Sequence, residues 1–222
     1  MTDETQVDQT TSPRRTRGEV VGLTVLATVL SLLAGLVLGW ALFGRGGYPL
    51  DGSAEAGFAR DMRVHHGQAV QMSLLIAERT DDPAIRTFAN DIATSQQHQA
   101  GQMFAWLQLW GLSPTGSRPP MEWMGSDHHG SGSGSTSGSG DAVPMPGMAS
   151  EADLKRLTDA RGVEADRLFL TLMMAHHKGG VEMADAVLAR SDRGEVVTLA
   201  GAMKAAQTSE IATMQKMLDA KS

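Results

Sequence analysis

Residues 62–72 read MRVHHGQAVQM and residues 173–183 read MMAHHKGGVEM. A displacement of 111 residues lays one on the other with five of eleven positions identical, and four of those five are histidine or methionine. The same offset places Phe58 on Phe169, Gln96 on Gln207, Met103 on Met214 and Leu107 on Leu218. The chain therefore carries one helical hairpin twice. Apolar residues recur at helical spacing from Ala54 to Arg79 and from Pro83 to Trp110, then from Glu164 to Arg190 and onward to Leu218. Asp82 before Pro83 is a helix-start signal, as is Ser150 before Glu151 and Asp153, and Ser191 or Asp192 is expected to cap the last helix. Neither hairpin has a partner for its own apolar stripe. Packed on each other, the two give an all-α four-helix bundle over residues 54–220 with a pseudo-two-fold axis.

Working outward, residues 112–149 differ in composition. Their middle is dominated by glycine and serine, which bury no core, so the segment reads as a flexible crossover between the hairpins. On the N-terminal side, Val20 to Phe43 form an uncharged run of 24 residues. As a helix it would be about 36 Å long, enough for a hydrocarbon layer of about 30 Å. Arg14, Arg15 and Arg17 precede it and only Arg45 follows closely, which places residues 1–19 as a polar cytoplasmic tail and everything after Gly44 outside. The competing reading is a cleavable signal peptide, whose apolar stretch is about 7–15 residues long and ends in a small-residue cleavage site. The net charge of −6 offers no basic patch for nucleic acid, and the absence of cysteine removes thiolate metal sites and thiol catalysis.

At 100° per residue, Phe58, Met62, His65, Ala69, Met72 and Ile76 share a stripe about 80° wide, with His66 at its edge. Phe169, Met173, His176, Gly180, Met183 and Val187 repeat the stripe, with His177 in place of His66. The second helix turns Gln96, Gln99 and Met103 to one face and the fourth turns Gln207, Glu210 and Met214. His98 falls on the opposite side and reads as a surface residue. Two explanations compete. Either histidines, glutamines and Glu210 satisfy one another as a polar core, or they bind metal. Imidazole suits copper, zinc, iron and nickel, whereas thioether sulfur selects Cu(I). The mixed set Met62, His65, His66, Met72, Met173, His176, His177, Met183 and Glu210 thus points to copper, with zinc second. Met121, Met124, His128, His129, Met145 and Met148 repeat this vocabulary in the linker and would add weaker sites. Metal binding needs neutral imidazoles, so binding is expected to weaken as pH falls below about 6.5.

The segments MRVHHGQAVQMS with QQHQAGQMFAWL, and MMAHHKGGVEMA with QTSEIATMQKML, resemble the bacterial family called domain of unknown function 305, marked by M-x-x-H-H-x-x-A-v-x-M and Q-x-x-E-I-x-x-M-x-x-W-L. The resemblance covers residues 54–218. It implies a ferritin-like four-helix bundle, export from the cytoplasm and, for some members, copper binding and resistance. Gln99 departs from the family's glutamate, which Glu210 keeps, and Gly180 replaces the usual alanine. Three functions follow. The first is a membrane-anchored protein outside the cytoplasm that sequesters or relays copper, without catalysis. The second is a non-metal interaction or stress module with a polar core. The third is a ferritin-like di-iron enzyme, against which stands the lack of any Glu-x-x-His pair.

Overall fold

The computed structural model describes residues 17–43, 47–125 and 145–221. Among them are six α-helices and no strand: α1 (Arg17–Phe43), α2 (Ala54–Ala77), α3 (Pro83–Leu109), α4 (Glu151–Asp159), α5 (Gly162–Leu188) and α6 (Gly194–Asp219). Side-chain caps account for three of the six starts. The Ser53 hydroxyl accepts the N–H of Ala56 at 3.2 Å ahead of α2, and the Asp82 carboxylate accepts that of Ala84 at 2.8 Å ahead of α3. Ser150 and Asp153 form a reciprocal capping box on α4. The last helix departs from expectation: neither Ser191 nor Asp192 is its cap. Arg193 holds that position, and Ser191 instead accepts the Arg193 N–H at 3.2 Å, so a side-chain turn uses the hydroxyl before the helix begins.

Residues 1–48 and 49–222 form two units. In the first, Val21–Trp40 is long and apolar enough to cross a membrane, with a mean hydropathy of 2.4. Within this stretch Thr28 donates its hydroxyl to the Thr24 carbonyl at 2.8 Å, and Thr24 donates to Val21 at 3.2 Å. Both hydroxyls are thus satisfied by their own helix, as a hydrocarbon setting requires.

In the second unit α2 pairs with α3, α5 pairs with α6, and the hairpins meet mainly through α2 and α5. The early part of α2 packs with the late part of α5, so these two run antiparallel. One apolar cluster unites Phe58, Met62, Met103 and Leu107 with Met183, Val187, Val196, Ala200 and Met203. The other unites Phe169, Met173 and Met214 with Met72, Ile76, Ile85, Ala89 and Ile92. Each member named has its 111-residue mate in the opposite cluster or packed against it, and this is the pseudo-two-fold relation in structural form. Met62, Met72, Met103, Met173, Met183 and Met214 are all fully buried.

The linker's ends are not the loose arm that its composition suggests. A 3-10 turn, Glu122–Met124, folds back on α2, and Met121 and Met124 are buried in the first cluster, at 5% and 2% exposure. Asp61 organises this return by accepting the Met121 N–H at 2.7 Å and the Trp123 indole N–H at 2.8 Å. Trp123 meets Phe58 edge-on at 5.9 Å and occupies the space above Gly57, where a Cβ would lie 2.4 Å from its ring. Met145 is half-buried against the same cluster and Met148 is half-buried as well. His128 and His129 lie outside the described residues.

A free linker would tolerate truncation of its methionines, whereas a packed one would not. Met124→Ala is expected to lower unfolding free energy by about 2–4 kcal/mol, the usual cost of emptying a buried methionine site. Urea unfolding of the two proteins measures it, and an unchanged midpoint would place this turn outside the core.

Candidate metal centre

Between the two apolar clusters lies a layer of four histidines, His65, His66, His176 and His177, each fully buried. Because α2 and α5 cross antiparallel at this level, the pairs face each other. The His65 and His176 rings stack with centroids 3.7 Å apart and 29° between planes, and His177 sits 6.3 Å from His176 at 55°.

Every Nε2 has an oxygen partner. His66 meets the Gln99 side-chain oxygen at 2.8 Å, and its mate His177 meets a Glu210 carboxylate oxygen at 2.8 Å. His176 meets the His65 main-chain carbonyl at 3.0 Å, and His65 meets the Pro146 carbonyl at 3.0 Å. All four partners are acceptors, so each Nε2 carries a proton and donates it. In a neutral ring the other nitrogen, Nδ1, then holds a lone pair. All four Nδ1 atoms are buried and lack a hydrogen-bond partner. A buried acceptor left this way costs about 1–3 kcal/mol, and the same feature recurs four times in one layer. Fixing Nε2–H with a second group so that Nδ1 is free is the arrangement that metal-binding imidazoles use.

The structure therefore brings the four predicted histidines, Gln99 and Glu210 together. It places Met62 and Met183 in one flanking cluster and Met72 and Met173 in the other. Among the described residues, no three His, Asp or Glu side chains converge to hold a metal ion. His98 is exposed, as expected. Two buried carboxylates escaped the sequence reading, Asp61 and Asp166. They serve elsewhere, Asp61 on the linker return and Asp166 on Lys221 at 2.8 Å. Pro146 and Gln68 were also missed. The tetrapeptide Met-Pro-Gly-Met is a turn signal, and Gln68 aligns with Gly179 under the repeat offset, yet neither reveals that the turn meets His65 or that Gln68 holds Ala149.

A family model described as "Domain of unknown function (DUF305)" matches residues 55–218. The fold is similar to the crystal structure of a DUF305 protein from Streptomyces coelicolor, at 42% identity, covering 78% of this chain and 96% of that one with a TM-score of 0.69. A DUF305 fragment from Deinococcus radiodurans is 33% identical over 75% of this chain and 95% of its own, with a TM-score of 0.59. CopM in its Cu(I)-bound form is 23% identical over 75% of this chain and 96% of its own, with a TM-score of 0.53, a likeness of fold. No curated relative matches the chain.

Burial also sets the protonation state of His65, His66 and His176. It pushes His65 down to about 4 against the help of the Pro146 carbonyl, and His66 down to about 3, with the neighbouring His65 adding to the effect. His176 is held well below 6.5 by burial and then by His65. These three rings stay neutral below the pH 6.5 that the unperturbed side chain suggests, and protons compete for the His65 lone pair only near pH 4 and for that of His66 only near pH 3. The unfolded chain, by contrast, binds protons from about pH 6.5 downward. Between these limits the unfolded state holds more protons, so stability is greatest above pH 6.5 and is lost as pH falls towards 4. Urea unfolding at pH 7, 5.5 and 4.5 is expected to show a falling midpoint, and His65→Leu should flatten that fall.

Proposed function

The chain belongs to the DUF305 family, and from that premise we propose that it is a copper-binding protein, without catalysis of its own, that sequesters or relays the metal outside the cytoplasm. One observation carries the reading: four buried imidazoles each donate through Nε2 and leave Nδ1 without a partner. A polar core kept only for packing has no reason to leave the same acceptor orphaned in all four rings. The four histidines His65, His66, His176 and His177 and the methionines flanking them, Met62 with Met183 on one side and Met72 with Met173 on the other, are the groups that would hold the metal. Glu210 supplies negative charge next to them through His177. When bound, Cu(I) would be held by soft thioether and neutral nitrogen together, a donor set that carries no charge to strip from water. Zinc competes for the imidazoles but gains little from the sulfurs. Structures of CopM with Cu(I), Cu(II) and silver bound share this fold and support the reading.

The second reading, a non-metal helical module with a polar core, draws on the Nε2 hydrogen bonds, every one of which is made. The two readings part on whether the native state is stabilised by metal. A ligand that binds only the folded chain raises stability by about 2.7 kcal/mol at a hundred times its dissociation constant. Cu(I) and Ag(I) are therefore expected to raise the thermal midpoint of the wild-type protein. Joint replacement of His65, His66, His176 and His177 by leucine should abolish that rise while keeping helical circular dichroism. An unshifted wild-type midpoint with Cu(I), Cu(II) and Zn²⁺ alike would favour the polar-core module.

The apolar helix and the arginine excess before it support an uncleaved anchor that leaves residues 44–222 outside. Protease added to spheroplasts is expected to remove an epitope at the C-terminus and spare one placed before Arg14. A soluble mature form starting after Gly44 would instead identify a cleaved signal.

A further inference from the structure

Residues 145–149, Met-Pro-Gly-Met-Ala, bridge the two histidine-bearing helices. The Met148 N–H reaches the Met145 carbonyl at 3.4 Å, with Pro146 second and Gly147 third at φ 72°. This is the signature of a type II turn, whose third position needs positive φ. The turn lies backbone-to-backbone on α5. A Cβ at Gly179 would fall 2.0 Å from the Pro146 carbonyl oxygen, and one at Gly147 would fall 2.2 Å from that of Ala175. Side chains are missing on both surfaces where they touch.

On α2 the attachment is polar. The Gln68 amide nitrogen donates to the Ala149 carbonyl at 2.9 Å, and its oxygen accepts the Ala149 N–H at 2.7 Å. One helical turn earlier, His65 Nε2 donates to Pro146. Under the 111-residue offset Gln68 falls on Gly179, so at one repeat position one copy carries the clamp and the other the gap. The histidines diverge in the same way. His176 bonds to the main-chain carbonyl of its mate His65, but His65 does not return the bond to His176; it bonds to the turn. Residues 145–149 have taken the place of a symmetric contact. The cover is thin, since Gly147 is exposed while His65 and His176 are fully buried.

We propose that residues 145–149 form a strap that gates entry to the histidine layer, with Gln68 as the positioning residue that latches it. Closed, the strap excludes water and holds the His65 proton on Nε2. Opening breaks three hydrogen bonds and uncovers the His65–His176 stack. Segments held by so few bonds open locally without global unfolding. Met145 and Met148 stand at the ends of the turn and offer a soft cation its first thioethers. The identity of that cation rests on the metal-binding reading; the strap itself does not.

Two variants of the full-length chain in detergent micelles test the gate. Gly179→Ala improves helix propensity but denies Pro146 its seat, and Gln68→Met keeps side-chain length but removes both latch bonds. In metal-free protein, each is expected to speed exchange of the Ala149 amide by about tenfold, as loss of one or two hydrogen bonds implies. Each should also make His65 reactive towards an acylating imidazole reagent that leaves the wild type untouched. Uptake of Ag(I) should accelerate by a similar factor. A merely structural role would lower the thermal midpoint with no gain in His65 labelling or uptake rate, and that result overturns the proposal. If the wild type binds neither Ag(I) nor Cu(I), the metal reading fails, and His65 labelling still decides whether the strap is a gate.

Discussion

The bundle is organised by the burial of four imidazoles between two apolar clusters. Burial drives His65, His66 and His176 towards the neutral form, because no water reaches them and their neighbours include rings of the same kind. A neutral ring has one donor and one acceptor, and a partner for the donor must come from another element. Gln99 comes from α3, Glu210 from α6, the His65 carbonyl from across the hairpin interface and the Pro146 carbonyl from the linker's far end. The pairing of helices, the angle at which α2 meets α5 and the path of the returning linker all answer to this one requirement. The apolar clusters supply most of the buried area, yet they would accept other registers of methionine, leucine and isoleucine. Polar partners at fixed heights along each helix remove that freedom.

The duplication was legible because histidine and methionine are rare enough that their coincidence at one offset has a single explanation. From it followed the two hairpins, the stripe carrying Met62 and Met173, and the interior positions of Gln96 and Gln207. Helix starts that rest on a local side-chain bond, at Asp82 and Ser150, lie in short-range patterns that a sequence reading can reach. The start at Gly194 does not, since the Ser191 hydroxyl accepts the Arg193 N–H in a turn before the helix begins. The ends of the linker were misread for a different reason. Glycine and serine in its middle coloured the whole segment, while Met121, Trp123 and Met124 are held by tertiary contacts with Phe58, Gly57 and Asp61 that no window of sequence contains. The orphaned Nδ1 atoms were equally out of reach, because a tautomer is decided by what lies opposite the ring.

The two halves are related but not interchangeable. Gln99 and Glu210 occupy equivalent places against His66 and His177, yet one is neutral and the other a carboxylate. A cation near the second pair would feel an attraction that the first lacks. Relatedness of backbone thus coexists with a difference in field between the two halves.

The Gln68–Gly179 correspondence carries a consequence for assembly. Had this bundle been built from two separate identical hairpins, the two-fold axis would force the same residue onto both α2-type helices. A glutamine on each would put a side chain where Pro146 now rests on Gly179, and a glycine on each would leave Ala149 unclamped. A clamp and its seat at one position need two different residues there, which identical subunits cannot provide. Joining the hairpins in a single chain lifts that restriction. The linker between them is then a tether and also the third piece of an asymmetric joint that a homodimer of this hairpin has no means of making.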